Sequence, residues 1–148
     1  KLGFSINVNN ALLSKFRNEE MRTDIMKNSG LFIDTKNGYM DRFRGRIMFS
    51  IFNSAGKITA FAGRVFNSDD PAKYINSPET PIYNKSKILY GLHETKQNIR
   101  TEKSVIIVEG YLDFLQLYQS GIKNVVAISG TAFTDQHALQ IKRFCEKI

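Results

Sequence analysis

Hydrophobic positions change their spacing along the first part of the chain. Over residues 9–28 they recur every three or four positions, a spacing that predicts helix. After the turn signal Asn37-Gly38 the period falls to two across residues 46–51. A second extended segment over 58–66 follows the turn residues 53–56, and the pattern therefore predicts a β-hairpin.

The second half of the chain predicts alternating strands and helices. Residues 67–88 are rich in proline, asparagine and serine and predict a long ordered loop, after which a short helix is predicted over 92–99. The elements expected next are strand 105–108, helix 111–120 with Leu112, Leu115 and Tyr118 inward, strand 125–128, and a helix opened by Thr134 or Asp135 with Ala138, Leu139, Ile141 and Phe144 inward. This order predicts a βαβα unit with a parallel sheet and a right-handed crossover.

The charge of the chain favours an anionic partner. The 148 residues carry a formal net charge of +7, and no apolar run approaches the roughly 20 residues that a membrane helix needs. Residues 36–64 hold six cationic side chains and one carboxylate, whereas residues 105–148 hold four of each. The basic character is therefore assigned to the first two-thirds of the sequence, where it indicates nucleic acid as the partner.

Cys145 is the only cysteine, and it limits the possible covalent and metal chemistry. A single thiol excludes an intrachain disulfide and a multi-thiolate zinc site, and it favours a reducing compartment. We expect Cys145 to be a small core residue beside Phe144. Because the sequence lacks an initiating methionine and shows no signal peptide, we expect it to be a piece of a longer chain.

Two carboxylates follow the first predicted parallel strand. Glu109 comes directly after it, Gly110 permits a tight turn, and Asp113 lies in the first turn of the next helix. Ligands of open α/β sheets gather at the carboxyl ends of the strands, and Mg²⁺ prefers oxygen ligands. The pair is thus a candidate divalent-cation site, although acidic residues at a helix start are also explained by the helix dipole alone.

Six short motifs, in the same order along the chain, resemble those of bacterial-type DNA primases that contain a Toprim domain. They are Arg42-Phe43-Arg44-Gly45-Arg46-Ile47-Met48-Phe49, Ala62-Gly63-Arg64-Val65, Lys73-Tyr74-Ile75-Asn76-Ser77-Pro78-Glu79-Thr80, Asn84-Lys85 through Leu89-Tyr90-Gly91-Leu92, Val108-Glu109-Gly110-Tyr111-Leu112-Asp113, and Ser129-Gly130-Thr131-Ala132. The resemblance covers residues from about 40 to 148.

This resemblance implies an α/β fold and an RNA polymerase that makes short primers on single-stranded DNA from ribonucleoside triphosphates. It implies a basic N-terminal α/β subdomain with a β-hairpin over residues 1–85, followed over 86–148 by the first βαβα part of a Rossmann-like Toprim subdomain. Glu109 and Asp113 would be catalytic carboxylates, and Glu109 would bind Mg²⁺ or Mn²⁺. The side chains implied to bind DNA or nucleotides are Arg42, Arg44, Arg46, Arg64, Lys73, Tyr74 and Lys85.

The period of two predicts how three of these arginines are oriented. Arg42, Arg44 and Arg46 would share one exposed face, opposite Phe43 and Ile47, as a positive stripe that tracks phosphates. Tyr74 would either stack on a base or pack within its loop.

Other parts of this family have no counterpart in the sequence. The Asp-x-Asp motif of the third Toprim strand, the zinc-binding domain and the C-terminal domain that contacts the replicative helicase are missing, so we expect these 148 residues alone to lack polymerase activity. The resemblance implies an enzyme of the bacterial replication fork, in the cytoplasm at the nucleoid, without contact to a membrane. Ala62 and Ser50 replace a usual glycine and a usual proline.

Three other functions remain open on the sequence. The chain would be a module that binds single-stranded DNA or nucleotides without catalysis, another Toprim enzyme such as a topoisomerase or nuclease, or a truncated domain without a competent site. The Arg42–Phe49 and Lys73–Thr80 motifs favour a primase over the other Toprim enzymes.

Overall fold

A computed structural model describes residues 2–66 and 70–147 of the chain. The elements in chain order are β1 (Leu2–Ser5), α1 (Ala11–Asn18), α2 (Thr23–Asn28), β2 (Phe32–Thr35), β3 (Gly38–Asp41), β4 (Arg46–Phe52), β5 (Ile58–Val65), β6 (Tyr74–Asn76), a 3₁₀ turn (Lys85–Lys87), α3 (Leu92–Glu102), β7 (Ile106–Val108), α4 (Tyr111–Gln119), β8 (Val125–Ala127) and α5 (Asp135–Ile141). They form two compact units: the first comprises Lys1–Ser50 and Ala60–Tyr83, and the second comprises Ile51–Thr59 and Asn84–Ile148.

A four-stranded sheet in the order β1-β4-β5-β6 carries the basic motifs. The predicted hairpin is confirmed as β4 and β5, whose turn is closed by the Asn53 amide donating to the Lys57 carbonyl at 2.9 Å. The predicted uninterrupted loop over 67–88 is wrong, because β6 pairs antiparallel with β5. Three edge-strand residues between prolines are too few to show a period of two. Residues 67–69 of that prediction lie outside the described residues.

The single helix predicted over 9–28 is wrong, because two helices occupy this segment. Glu20 has a φ of 52° and follows α1 in the left-handed region. The Glu20 amide donates to the Arg17 carbonyl, and the Met21 amide donates to the Phe16 carbonyl, which is the Schellman pattern of a helix end. Acidic residues at 19 and 20 also oppose the dipole at this end.

The second unit contains the predicted strand–helix–strand–helix order. Strands β7 and β8 are parallel, with Ile106 opposite Val125, which confirms the parallel sheet. Strand β8 is fully buried as predicted. Strand β7 is less buried than its apolar run predicts, since Ile106 is 39% exposed.

The inward faces of α4 and α5 differ from the prediction. In α4 the buried residues are Tyr111 and Phe114, not the predicted leucines. In α5 the predicted Ile141 is confirmed as buried and His137 is buried with it, whereas the predicted Leu139 is 56% exposed. Short helices give few positions from which to fix the phase of a hydrophobic stripe, and the phase predicted for α4 is therefore wrong.

Apolar clusters are buried within both units. The second unit buries the core residues Leu89, Leu92, Ile99, Val105, Val126, Ile141 and Cys145. The prediction that Cys145 is a core residue is confirmed, and burial raises the pKa of its thiol. The first unit buries Leu13, Met26 and Phe32. Within the described chain, no helix combines the length and hydropathy needed to cross a bilayer.

Candidate metal and nucleic-acid site

The turn after β7 presents the first predicted carboxylate to solvent. Glu109 is exposed and its carbonyl accepts a hydrogen bond from the Ser129 amide at 2.9 Å. The Ile128 amide donates to the Val108 carbonyl at 3.0 Å, so the carboxyl ends of β7 and β8 are joined directly below Glu109. This is the rim at which ligands of open α/β sheets bind.

Asp113 has a structural function in the same turn. One of its carboxylate oxygens accepts a hydrogen bond from the Gly110 amide at 3.1 Å, which satisfies a backbone donor at the start of α4. A Cβ on Gly110 would lie 3.0 Å from that oxygen, so the close approach favours glycine. Both carboxylates therefore belong to one exposed turn.

The turn after β8 lies at the same rim and is conformationally unusual. Ser129 and Gly130 have φ values of 56° and 85°, two successive residues in the left-handed region. A non-glycine residue in this region costs free energy, and such residues concentrate at functional sites.

The acidic turn fits a cation that completes its coordination with water and phosphate. No group of three or more metal-ligating side chains occurs in residues 2–66 and 70–147. Mg²⁺ is commonly held by one or two carboxylates together with waters and substrate phosphates. Glu109 and Asp113 match that kind of site, and they do not match a metal cage made by the protein alone.

The predicted stripe of three exposed arginines is wrong. Strand β4 begins at Arg46, whereas residues 42–45 form a bend in which Gly45 has a φ of 59°. The period of two therefore does not extend across the three arginines. Each of the three side chains has a different environment.

Arg46 is buried, with 2% of its surface exposed. Its guanidinium donates to the Ala72 carbonyl at 2.8 Å and forms an ion pair with the Asp70 carboxylate. The Ala72 amide, and then Arg46, hold the pKa of the Asp70 carboxyl below its usual value. Gly63 is required here, since a Cβ would lie 2.9 Å from the Arg46 side chain. Arg46 thus fixes the segment that leads to Lys73.

Arg42 and Arg44 are both half-buried. Arg44 donates to the side chain of Asn9 at 2.8 Å. The Nε of Arg42 is buried and has no hydrogen-bond partner in the described chain, and burial lowers the pKa of this guanidinium. A buried donor without a partner costs free energy unless a ligand or water accepts its hydrogen bond.

Arg64 and Tyr74 come together as a cross-strand pair. They are opposite in the register of β5 and β6, and the Arg64 guanidinium lies 5.8 Å from the centre of the Tyr74 ring. The Nε of Arg64 is buried without a partner in the described chain. Lys73 is exposed directly before Tyr74. Tyr74 thus packs against Arg64 within the protein, and its stacking on a base stays a prediction.

Lys85 belongs to the second unit and is positioned by a histidine. The buried His137 ring has its Nε2 atom 3.0 Å from the Lys85 carbonyl, and its Nδ1 atom accepts from the Thr134 amide at 3.3 Å. This pairing makes Nε2 the donor to Lys85. Thr134 and His137 form a capping box in which histidine takes the place of the usual Glu or Gln, which is why the residue pattern alone does not reveal it.

Asp41, like His137, is a buried polar residue with a structural role that the sequence pattern does not indicate. It is 4% exposed, and its carboxylate accepts hydrogen bonds from the amides of Leu12 and Leu13 at 2.8 and 2.9 Å. A residue of β3 therefore caps the start of α1. Because the cap lies almost thirty residues along the chain from the helix, no local pattern reveals it.

Comparison with known proteins identifies the family of both units. The family model for the N-terminal domain of the DNA primase catalytic core matches residues 1–96, and a Toprim domain model matches residues 103–147. The DNA primase of Listeria monocytogenes is 40% identical over 148 residues, and that of Pseudomonas aeruginosa is 42% identical over 150 residues. These alignments cover 99% of this chain but 24% and 22% of the relatives, so the chain spans about a quarter of their length.

Solved primase structures share the fold across nearly the whole chain. A DNA primase domain from Pseudomonas aeruginosa has a TM-score of 0.89 at 40% identity and covers 97% of this chain, which corresponds to 45% of that domain. A DnaG primase catalytic domain bound to single-stranded DNA has a TM-score of 0.87 at 35% identity, covering 99% of this chain and 46% of its own. The family matched over residues 1–96 is a primase domain, which decides against a topoisomerase or nuclease. The chain belongs to the DNA primase family and corresponds to part of its catalytic core.

Proposed function

We propose that this segment takes part in RNA primer synthesis on single-stranded DNA, by metal-dependent nucleotidyl transfer. The observation that carries the proposal is the exposed Glu109 carboxylate at the carboxyl end of β7, in the unit that matches the Toprim model. In this reaction a ribonucleotide 3′-hydroxyl attacks the α-phosphate of a ribonucleoside triphosphate, forms a new phosphodiester and releases pyrophosphate.

Glu109 would be the metal ligand, and Asp113 would hold the turn that presents it. The capping hydrogen bond to Gly110 and the hydrogen bond from Ser129 to the Glu109 carbonyl fix this backbone. When bound, Mg²⁺ or Mn²⁺ supplies positive charge that stabilises the developing charge on the phosphates. Because the described residues provide only these two carboxylates at the turn, we propose that the segment alone binds but does not polymerise.

The basic side chains of the first unit would bind the template and the incoming nucleotide. Arg44, Arg64 and Lys73 supply guanidinium and ammonium groups, and the buried Nε atoms of Arg42 and Arg64 need an acceptor. Phosphate oxygens are suitable acceptors. Arg46 would act indirectly, by holding the segment before Lys73. We also propose that Lys85, in the second unit, binds nucleic acid or nucleotide. In the longer enzyme, we expect the replicative helicase to bind a domain outside this sequence, at the bacterial replication fork.

The test is Glu109→Gln in a full-length primase that carries this segment. The substitution keeps the shape of the side chain and removes its charge, so primer synthesis should fall by about a hundredfold or more while DNA binding is retained. Incorporation of labelled ribonucleotides on a single-stranded template measures the first quantity, and fluorescence anisotropy measures the second.

Asp34→Asn is the matched control, since Asp34 is an exposed carboxylate on β2 that has no place in the proposed site. It should leave synthesis unchanged. Primer synthesis at the parental rate by Glu109→Gln would remove Glu109 from the reaction. Loss of both synthesis and DNA binding would indicate a structural role for this carboxylate instead.

A further inference from the structure

The second unit has a basic cavity that the local charge along the sequence does not reveal. The end of α3 and the residues after α5 line a cavity of about 660 Å³. Five cationic side chains contribute to it, and we refer to them as the distal basic surface: Arg100, Lys103, Lys142, Arg143 and Lys147.

The described residues around the distal basic surface carry fewer negative than positive charges. All five side chains belong to exposed residues, and none forms an ion pair with a carboxylate of the described chain. The carboxylates that line the cavity are Glu102 and Glu146, which leaves three positive charges in excess. Clustered like charges repel one another, and an anionic ligand relieves that repulsion.

This surface lies at the opposite end of β7 from the acidic turn. Arg100 and Lys103 precede β7 along the chain, and the Lys147 carbonyl accepts a hydrogen bond from the Val105 amide at 3.1 Å. Glu109 follows the other end of the strand, which spans three residues, or about 10 Å. The distal basic surface is therefore separate from the proposed metal site.

An aromatic ring orders one of the five cations. The Arg100 guanidinium lies 4.9 Å from the centre of the Phe144 ring, which is half-buried. A guanidinium held over an aromatic face has lost part of its conformational freedom before any ligand binds. The remaining cations come from two chain segments, Lys103 from the end of α3 and Lys142, Arg143 and Lys147 from the residues after α5. The backbone of a nucleic-acid strand carries one phosphate per nucleotide and can therefore neutralise cations of both segments.

We propose that the distal basic surface binds the sugar–phosphate backbone of single-stranded nucleic acid, as a second contact remote from the metal site. This inference rests on the proposed function, since it assumes that the enzyme works on single-stranded DNA. The contact would hold the strand without reading its bases, because lysine and arginine on phosphates carry no sequence information.

The test is the salt dependence of DNA binding by the triple variant Lys103→Ala, Lys142→Ala and Arg143→Ala. On a labelled single-stranded oligonucleotide, affinity falls as salt rises. The steepness of this fall, in log affinity per log salt, should decrease by about 0.7 for each phosphate that the variant no longer neutralises, and so by up to about 2. The control removes three exposed cations outside the basic region 36–64, namely Lys15, Arg17 and Lys27, and should leave the slope near the parental value. Thermal unfolding checks that both variants fold, and Lys103→Gln alone is the fallback variant, with an expected change of about 0.7.

The outcomes separate this inference from the proposed function. An unchanged slope in the triple variant, or an equal decrease in the control, overturns the distal contact, whatever the effect of Glu109→Gln on synthesis. Inorganic tripolyphosphate is the second probe: if the triple variant fails to bind it but binds DNA like the parent, the inference is also overturned, because the cavity would then be a nucleotide site. A decreased slope in a protein whose synthesis does not depend on Glu109 supports the contact and leaves the catalytic proposal refuted.

Discussion

At the scale of single residues, Arg46 and Arg44 should differ in how much they contribute to the stability of the fold. The buried Arg46 guanidinium serves two carbonyls and a carboxylate, so Arg46→Met should lower the free energy of unfolding by about 2–4 kcal/mol. Arg44 makes one hydrogen bond to Asn9 near the surface, and Arg44→Ala should change stability by less than about 1 kcal/mol. Urea denaturation followed by circular dichroism measures both, and similar losses in the two variants would contradict a specific role for Arg46.

The ion pair between Arg46 and Asp70 should make the stability of the protein depend on pH. The pKa of Asp70 is lower in the folded protein than the usual value near 3.8. The ionised Asp70 carboxylate therefore contributes to the free energy of unfolding above that pH, and this contribution is lost as the pH falls through the folded pKa. Stability should therefore decline on acidification below about pH 4, and Asp70→Asn should flatten that part of the profile of stability against pH.

The alternation of arginines along the sequence predicted an exposed stripe because it contains no information about Asp70. This residue is distant along the chain and forms the ion pair of the buried Arg46.

At the scale of elements, the Tyr90-Gly91-Leu92 turn explains why a glycine precedes α3. Gly91 has a φ of 83°, and a Cβ there would lie 2.1 Å from the Phe114 ring. Gly91→Ala combines backbone strain with a clash and should cost about 2–4 kcal/mol. Gly121 has a φ of 101° with open space around it, so Gly121→Ala isolates the strain and should cost about 1 kcal/mol. Equal costs in the two variants, measured by denaturant unfolding, would show that Phe114 moves aside.

Elements defined by local patterns were predictable, and those held by distant contacts were not. The β4–β5 hairpin and the parallel strands β7 and β8 follow from period, turn residues and apolar runs. Strand β6 exists because β5 is beside it, and the break between α1 and α2 depends on a left-handed glutamate that no propensity favours. The acidic turn was predictable because one strand-to-helix connection contains all of it. The Arg46–Asp70 pair and the His137 anchor were not, because their partners are far away along the chain.

At the scale of the whole molecule, folding redistributes the charge. Residues 105–148 are neutral in sum, yet the structure brings Arg100 and Lys103 beside the cations after α5. Charge counted along the sequence therefore located one basic region, residues 36–64, and missed the distal basic surface. This is a general limit of counting charge by segment, since a surface gathers residues from several segments.

The buried cluster around Cys145 also predicts how the second unit opens. Cys145 is 8% exposed in the second core, and burial raises the pKa of its thiol, so a thiol reagent should react with it mainly after local opening. Gly91→Ala weakens that unit and should accelerate labelling at least about thirtyfold for a loss of 2 kcal/mol. Asp41→Ala removes the cap of α1 in the first unit, whose Leu13 cluster shares no residue with the Cys145 cluster, and should leave the labelling rate within about twofold of the parent. Equal acceleration by both variants would show instead that the units open together, through the β4–β5 hairpin whose strands run from one unit into the other.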